Sequence, residues 1–353
     1  MKKLQLPFRF MRFYIKIGLF FYMNKTRVVG KENVPKKGAV LFAVNHPNGL
    51  LDPLLVTCNN PRASHFLVKA AAFTNPIYKK ILNALNLIAI YRIRDGIQQL
   101  SKNEEVFNQC FEILKNKQSL MIFPEGSDNM DRTVRTLSKG FTRIVFGALE
   151  KYPDLEINVV PVGITYQNVA SFPSKAAIHF GKPIHANTIY NNHIPSKSIR
   201  MLKEIVSESL RKLSVHIEKD ELYKEKLRRL NLAQVDFSNI HSIQAILDKN
   251  VFPPKKSVPI NYVKPLFYLV ILNSVIPYLI YKKYANRNSE RDFIDTFRFA
   301  FNIFSFPIFY GVQALIVAHF FGIAFGGLYL WCSLLSVFLY TKLSPTATES
   351  HLG

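Results

Sequence analysis

Between residues 27 and 185, short apolar runs alternate with stretches of helical period. The runs 39–44 (AVLFAV), 65–69, 88–92, 120–123, 159–165 and 176–180 read as strands. The stretches 53–59, 76–85, 96–115 and 140–152 read as helices. In the third, Ile97, Leu100, Val106, Phe107, Cys110, Phe111 and Leu114 recur near the spacing of one helix face. Strands alternating with helices predict an α/β domain. No internal repeat is evident.

The flanks have a different pattern. Residues 1–26 interleave Lys2, Lys3, Arg9, Arg12 and Lys16 with Phe8, Phe10, Phe13, Tyr14, Phe20 and Phe21. The unbroken apolar run there, 17–23, is too short to span a bilayer, and no small-residue cleavage site follows it. An interfacial amphipathic helix is expected, with rings at the headgroup boundary and cations on anionic lipid. The alternative is a helix packed on its own domain. Residues 195–232 predict a charged amphipathic helix or helix pair, with Ile199, Leu202, Ile205, Val206, Leu210 and Leu213 as its stripe. They close a domain spanning 27–235. Residues 236–265 read as a short helix and a linker.

The region 266–342 is apolar. Runs 299–321 and 323–340 are each long enough to cross a bilayer, with His319 and Gly322 near a tight turn between them. Run 266–281 is shorter and interrupted by Pro277. Lys282, Lys283, Arg287, Arg291 and Arg298 put the intervening segment on the cytoplasmic side. A cytoplasmic domain is compatible with this if 266–281 does not span but lies in the interface or re-enters. The expectation is a two-helix hairpin, a non-spanning segment and a tail, 343–353. Three full spans are the alternative.

Composition narrows the function classes. The 353 residues carry a net charge of +22, which calls for an anionic partner. Hydrophobic residues make up 48% of the chain and 29 residues are Phe, which favours a membrane surface over nucleic acid. The three cysteines, Cys58, Cys110 and Cys332, have neither metal-ligand nor disulfide spacing, and no zinc motif occurs. No metal and no resident cofactor are expected.

Candidate chemistry gathers at strand ends. After run 39–44 comes His46-Pro-Asn-Gly-Leu-Leu-Asp52, then Pro53. A histidine held by a carboxylate suits a general base, because the carboxylate fixes the tautomer and stabilises the imidazolium. Asp52 also reads as a helix N-cap ahead of proline. Arg92 ends run 88–92 and Arg94 lies two residues on, so an extended chain points both to one face, which suits a phosphate. Their bland reading is a surface pair with Asp95, Glu104 or Glu105. Phe123-Pro-Glu125-Gly126-Ser127 supplies a carboxylate and a tight turn. Ser127 lacks the Gly-x-Ser-x-Gly elbow of a nucleophile. Run 159–165, with Val159-Val160-Pro161-Val162 at its start, reads as one wall of a site.

In this order, the four blocks resemble the glycerolipid acyltransferases, which act on glycerol-3-phosphate or lysophosphatidic acid. The resemblance covers about residues 31–183. The family's His-x4-Asp is one residue longer here, and this form resembles a subgroup acting on glycerol-3-phosphate or dihydroxyacetone phosphate. Phe123–Ser127 is matched fully, and Lys69 and Lys139-Gly140 fall where the family often has lysines. The resemblance implies a mixed, mostly parallel sheet flanked by helices. It implies His46 as base and Asp52 as its partner, with Arg92, Arg94, Lys69 and the Glu125-Gly126 turn on the phosphate side. Glu125, itself anionic, would orient an arginine or the turn rather than touch phosphate.

The implied reaction is O-acylation of a phosphorylated glycerolipid acceptor by acyl-CoA or acyl carrier protein, on the cytoplasmic face of a membrane. Competing readings are another lysophospholipid or aminolipid acceptor, a non-catalytic lipid-binding protein retaining the fold, and a hydrolase. Nucleic-acid binding is the weakest, since much of the charge flanks membrane segments.

Overall fold

Strand β2 (Ala39–Val44) is buried at every position, and its side chains alternate between two cores. Ala39, Leu41 and Ala43 face one layer of helices, while Val40, Phe42 and Val44 face the other. A strand covered on both faces has no polar alternation, which is why it reads as a continuous apolar run. This is a computed structural model, and it describes residues 5–70, 86–91, 103–285 and 291–348.

Around β2 lie β1 (Lys25–Val29), β3 (Ser64–Lys69), β4 (Leu87–Ile90), β5 (Ser119–Ile122), β6 (Ile157–Tyr166), β7 (Lys175–Phe180) and β8 (Ile184–His185). The sheet order is β1-β7-β6-β2-β5-β3-β4, with β8 also on β6. Pairings are parallel except β6 with β7 and with β8. The predicted mixed, mostly parallel sheet is therefore present. The expected runs 88–92 and 120–123 end two residues and one residue earlier, at Ile90 and Ile122. Edge strand β1 escapes the hydrophobic pattern because Lys25 and Arg27 alternate with half-buried positions. It also carries the sheet back to Lys25, across the boundary expected at residue 27.

One face is covered by α3 (Asn103–Lys115), α4 (Gly140–Lys151) and α5 (Pro195–Leu213), through residues such as Cys110, Phe141, Val145, Leu202 and Val206. The other is covered by α1 (Gln5–Tyr22) and α2 (Leu51–Asn59). The short helix expected within 236–265 is α7 (Ile240–Lys249). Its Ile240 and Ile243 pack with Tyr223, Leu227 and Leu230 of α6 (Tyr223–Leu232). The extended stretch is 251–260.

Helix α1 is two-sided. Phe8, Leu19 and Tyr22 join the core, while Leu6, Phe10, Phe13, Ile17 and Phe20 lie exposed on the opposite stripe. Beyond the domain come α8 (Lys264–Asn273), α9 (Val275–Ala285), α10 (Arg291–Phe321) and α11 (Ile323–Leu343). Phe297–Phe321 and Ile323–Leu343 are long and apolar enough to cross a membrane, and α8 and α9 meet at a 95° bend. Pro307 lies inside α10.

Both ends of this hairpin return to the domain. Phe299 is buried edge-to-face against Tyr22, with ring centroids 5.1 Å apart. At the other end, the Asn24 amide donates to the carbonyls of Thr341, Lys342 and Ser344 at 2.9, 3.1 and 3.2 Å. Lys342 donates back to the Met23 carbonyl at 2.7 Å and lies 4.4 Å over the Phe20 ring. Two helix ends thus satisfy each other's free carbonyls. Asn24→Ala should leave three carbonyls underbonded and cost about 1–3 kcal/mol. A lowered thermal midpoint in detergent checks this, and an unchanged midpoint would mean that water replaces the amide.

Candidate active site

Parallel pairing brings the chemistry together. Ala43 is in register with Ile122, so the chains leaving β2 and β5 emerge side by side at one sheet edge. Carboxyl ends of parallel strands are where open α/β sheets build their sites. His46 follows one strand and Glu125 the other. Asn45 continues the ladder with its side chain: its amide donates to the Ile164 carbonyl at 3.0 Å and accepts from the Ile164 N–H at 2.6 Å. The His46 carbonyl accepts from the Asn129 N–H at 2.9 Å. The turn is thus fixed on both sides.

His46 Nδ1 lies 2.9 Å from Asp52 Oδ2. The same Oδ2 accepts the Asn48 N–H at 2.7 Å, and Oδ1 accepts the Tyr166 hydroxyl at 2.7 Å. Asp52 is wholly buried. Burial pushes its carboxyl above the usual value, against these donors and the facing imidazole. The imidazole stacks on Phe123, with ring centroids 4.1 Å apart. With Nδ1–H committed to the carboxylate, Nε2 is left as the basic nitrogen.

Asp52 is not the N-cap it resembles. The helix begins at Leu51, and Asn48 Oδ1 accepts the N–H groups of Leu50 and Leu51 at 3.2 and 2.9 Å. Asn48 takes the capping work, which leaves both oxygens of Asp52 to the site. Pro53 falls inside the first turn.

Among the described residues, Glu125 pairs with Arg135. Arg135 Nε donates to Glu125 Oε2 at 2.7 Å, Nη1 donates to Ser127 Oγ at 2.9 Å, and Nη2 reaches the Ser127 carbonyl. Burial pushes the Glu125 carboxyl upward, opposed mainly by Arg135. Gly126 has φ +79°, a left-handed turn that favours glycine, and its N–H donates to the Phe123 carbonyl at 3.1 Å. That N–H closes the turn rather than pointing at a ligand.

Arg92 and Arg94 lie outside the described residues. Their strand, β4, and the Lys69 end of β3 finish on the same edge as β2, with Lys69 in register with Ile90. The Asn103 side chain clasps the Tyr91 backbone, donating to its carbonyl at 2.7 Å and accepting its N–H at 3.0 Å.

The sequence pattern missed three residues. Tyr166 ends β6, one position past the run taken as a wall. Arg132 is buried and stacks 3.6 Å over Phe237, donating to the Tyr166 and Gln167 carbonyls at 2.9 Å each. Arg135 is the third. A cavity opens beside His46, lined by Asn45, Glu125, Asn129, Arg132, Thr133 and Tyr166 among others. Among the described residues no cluster of three metal-ligating side chains occurs.

Residues 25–165 match the family model described as Acyltransferase. A 152-residue segment, 41% of this chain, is 28% identical to glycerol-3-phosphate O-acyltransferase 1 of Saccharomyces cerevisiae and covers 20% of it. A 136-residue segment, 38% of this chain, is 29% identical to 1-acyl-sn-glycerol-3-phosphate acyltransferase of Borreliella burgdorferi and covers 52% of that chain. The chain thus spans a fifth to about half of the length of these relatives. The crystal structure of the 1-acyl-sn-glycerophosphate acyltransferase PlsC from Thermotoga maritima is similar with TM-score 0.41 and 20% identity. That similarity covers 55% of this chain and 74% of that one.

The raised Asp52 value fixes a stability test. The contribution of its neutral form is fully present below the usual carboxylate range and is lost as pH rises through the raised value. Ionisation above that value therefore costs stability. Asp52→Asn keeps the shape without ionising, so its thermal midpoint at pH 7 should equal or exceed that of the parent. The advantage should shrink toward pH ~4. A midpoint well below the parent at pH 7 would show that the donors outweigh burial.

Proposed function

We propose that this chain is a membrane-bound O-acyltransferase that moves a fatty acyl group from an acyl thioester to a hydroxyl of glycerol-3-phosphate or lysophosphatidic acid. The observation that carries the reading is the His46–Asp52 pair at the shared edge of β2 and β5, facing a cavity. In the proposed step, His46 Nε2 takes the proton of the acceptor hydroxyl as its oxygen attacks the thioester carbonyl. Asp52 stabilises the imidazolium through Nδ1–H. The C–S bond breaks on collapse of the tetrahedral intermediate, and the imidazolium returns the proton to the departing thiolate. Asp52 is a partner of the base and Tyr166 a positioning residue.

No acyl-enzyme is needed. Burial pushes the Cys58 thiol up to about 11, and Ser127 Oγ is held by Arg135. Arg92, Arg94 and Lys69 are proposed for the acceptor phosphate; Lys69 ends β3, and β4, which precedes the two arginines in the chain, finishes at the same edge. Arg135 keeps Glu125 and the 123–127 turn in place beside the base. Acyl-CoA or acyl carrier protein serves as donor, drawn by a net charge of +22.

Two apolar helices of membrane-spanning length support attachment to a bilayer. The domain is proposed to lie on the cytoplasmic face, as the basic 282–298 segment requires. Both hairpin ends touch the domain, and Thr348 near the C-terminus bonds to Gln234 at 2.8 Å. A C-terminal tag should accordingly be reached from the cytoplasm, and a tag reached only from the far side would reverse the orientation.

The decisive assay supplies membranes with an acyl thioester and, in turn, glycerol-3-phosphate, lysophosphatidate or lysophosphatidylethanolamine. His46→Ala should abolish transfer while folding is kept. Equal transfer by the variant would remove the assigned base, and activity on lysophosphatidylethanolamine alone would move the acceptor to another lipid. Tyr166→Phe removes one donor to a charged group, worth about 1.5–3 kcal/mol, so the rate should fall at least tenfold. Its acid limb should move to higher pH, because the lost bond favoured ionised Asp52. A rate loss without that displacement would reduce Tyr166 to packing.

A further inference from the structure

We propose that α8 and α9 form a re-entrant hairpin that enters and leaves the bilayer on the domain side, so that its outer faces contact the acyl chains of one leaflet only. This rests on membrane attachment and not on the acyl-transfer chemistry. Laid end to end the two helices would reach about 30 Å, enough for a third span. They are not end to end, because the axis turns by 95° at Ser274.

Contacts along the transmembrane pair give the depth of each point on the path. Phe267, in the first turn of α8, stacks on Tyr340 with centroids 4.9 Å apart, at the domain end of α11. Asn273, at the far end of α8, donates to Ser333 Oγ at 3.1 Å and accepts the Tyr329 hydroxyl at 2.6 Å. Those partners lie about 10 and 16 Å further along α11 than Tyr340, near half the hydrocarbon thickness. Past the bend, the Ser274 and Tyr310 hydroxyls are 2.7 Å apart. Tyr281 of α9 then stacks on Phe297 at 5.9 Å, and Tyr284 lies 6.3 Å from the same ring. Phe297 is about 20 Å back along α10 from Tyr310, toward the domain. The chain descends along α11 and climbs along α10.

The tip is polar where the bilayer is least so. Breaking a helix frees backbone groups, which hydrocarbon cannot satisfy, so irregular backbone at that depth persists only when protein supplies partners. The Asn273 carbonyl accepts the Gln313 amide at 3.2 Å. Tyr310, Gln313, Tyr329 and Ser333 thus converge from both spans on the bend. A straight span would need none of them. Polar side chains inside a membrane are costly, and these four come from both spans to meet the bend. Leu269, Leu272, Ile276 and Leu279 are exposed on the arms, continuous with the lipid-facing surface of the hairpin, and Lys264, Lys282 and Lys283 flank them.

Side-specific labelling tests this on the full chain in sealed vesicles. Cys332→Ser removes the exposed native thiol and leaves the buried Cys58 and Cys110. Single cysteines are added by Tyr262→Cys before α8, Lys283→Cys at the end of α9, Ile323→Cys beside the hairpin turn, and Lys224→Cys on the domain. A membrane-impermeant maleimide should reach positions 262, 283 and 224 from one side and 323 only from the other. Position 283 labelled together with 323 overturns the proposal in favour of a third span. Position 283 unreactive from both sides overturns it too, since the second arm then fails to emerge. All four labelled from one side would sink the spanning hairpin itself and leave the catalytic reading untouched.

Discussion

A single buried carboxylate holds the candidate site in one piece. Asp52 gathers the imidazole of His46, the backbone of Asn48 and the phenol of Tyr166, from a turn after β2 and the end of β6. Each donor is cheap to supply alone, but none is available to an isolated helix. The carboxylate sits on the first turn of α2, where the helix N-terminus favours negative charge. Even so, burial dominates and pushes its value upward. A carboxyl held between burial and three donors is a partner whose charge responds to the facing imidazole.

The spacing of six residues between His46 and Asp52 follows from the same arrangement. Asn48 lies inside the loop and bonds in two directions. Its N–H goes to Asp52, and its side-chain oxygen caps the helix. This turn brings the imidazole and the carboxylate to 2.9 Å across the six-residue spacing. The loop thereby sets both how the helix starts and how the pair meets.

The buried strands were legible because burial on both faces leaves a mark in the sequence: β2 and β6 are apolar at almost every position. So was the convergence of His46 and Glu125, since parallel strands deliver their following loops to one edge. The pairing of Glu125 was not. Arg135 reaches it across a ten-residue loop whose path depends on contacts such as that of Ser138 N–H with the Pro124 carbonyl. Tyr166 was hidden for a different reason, because an aromatic ending a buried strand reads as core. Only the register between β2 and β6, extended by the Asn45 amide, turns its hydroxyl toward Asp52. Asp52 misled as a cap because Asp-Pro is a strong helix-start signal, and here the helix starts two residues before Pro53.

The membrane-facing parts and the site are joined through α2. Its buried Leu51, Leu55, Val56 and Cys58 share a core with Phe8, Leu19 and Tyr22 of α1 and with Phe299 of α10. Helix α1 thus lies directly on the element that carries Asp52, and its outer stripe of Phe10, Phe13 and Phe20 continues into α11 through the stacking of Phe20 on Phe338. Packed helices lie 8–10 Å apart, so a lipid-contacting surface on α1 is about one helix layer from the imidazole. In the proposed reaction the two substrates differ in what they need. The acyl chain must leave a hydrocarbon phase, and the phosphate must remain with water and cations. An edge lying beside an apolar helix layer meets the first demand without moving the sheet, and the end of β3 brings Lys69 to that same edge.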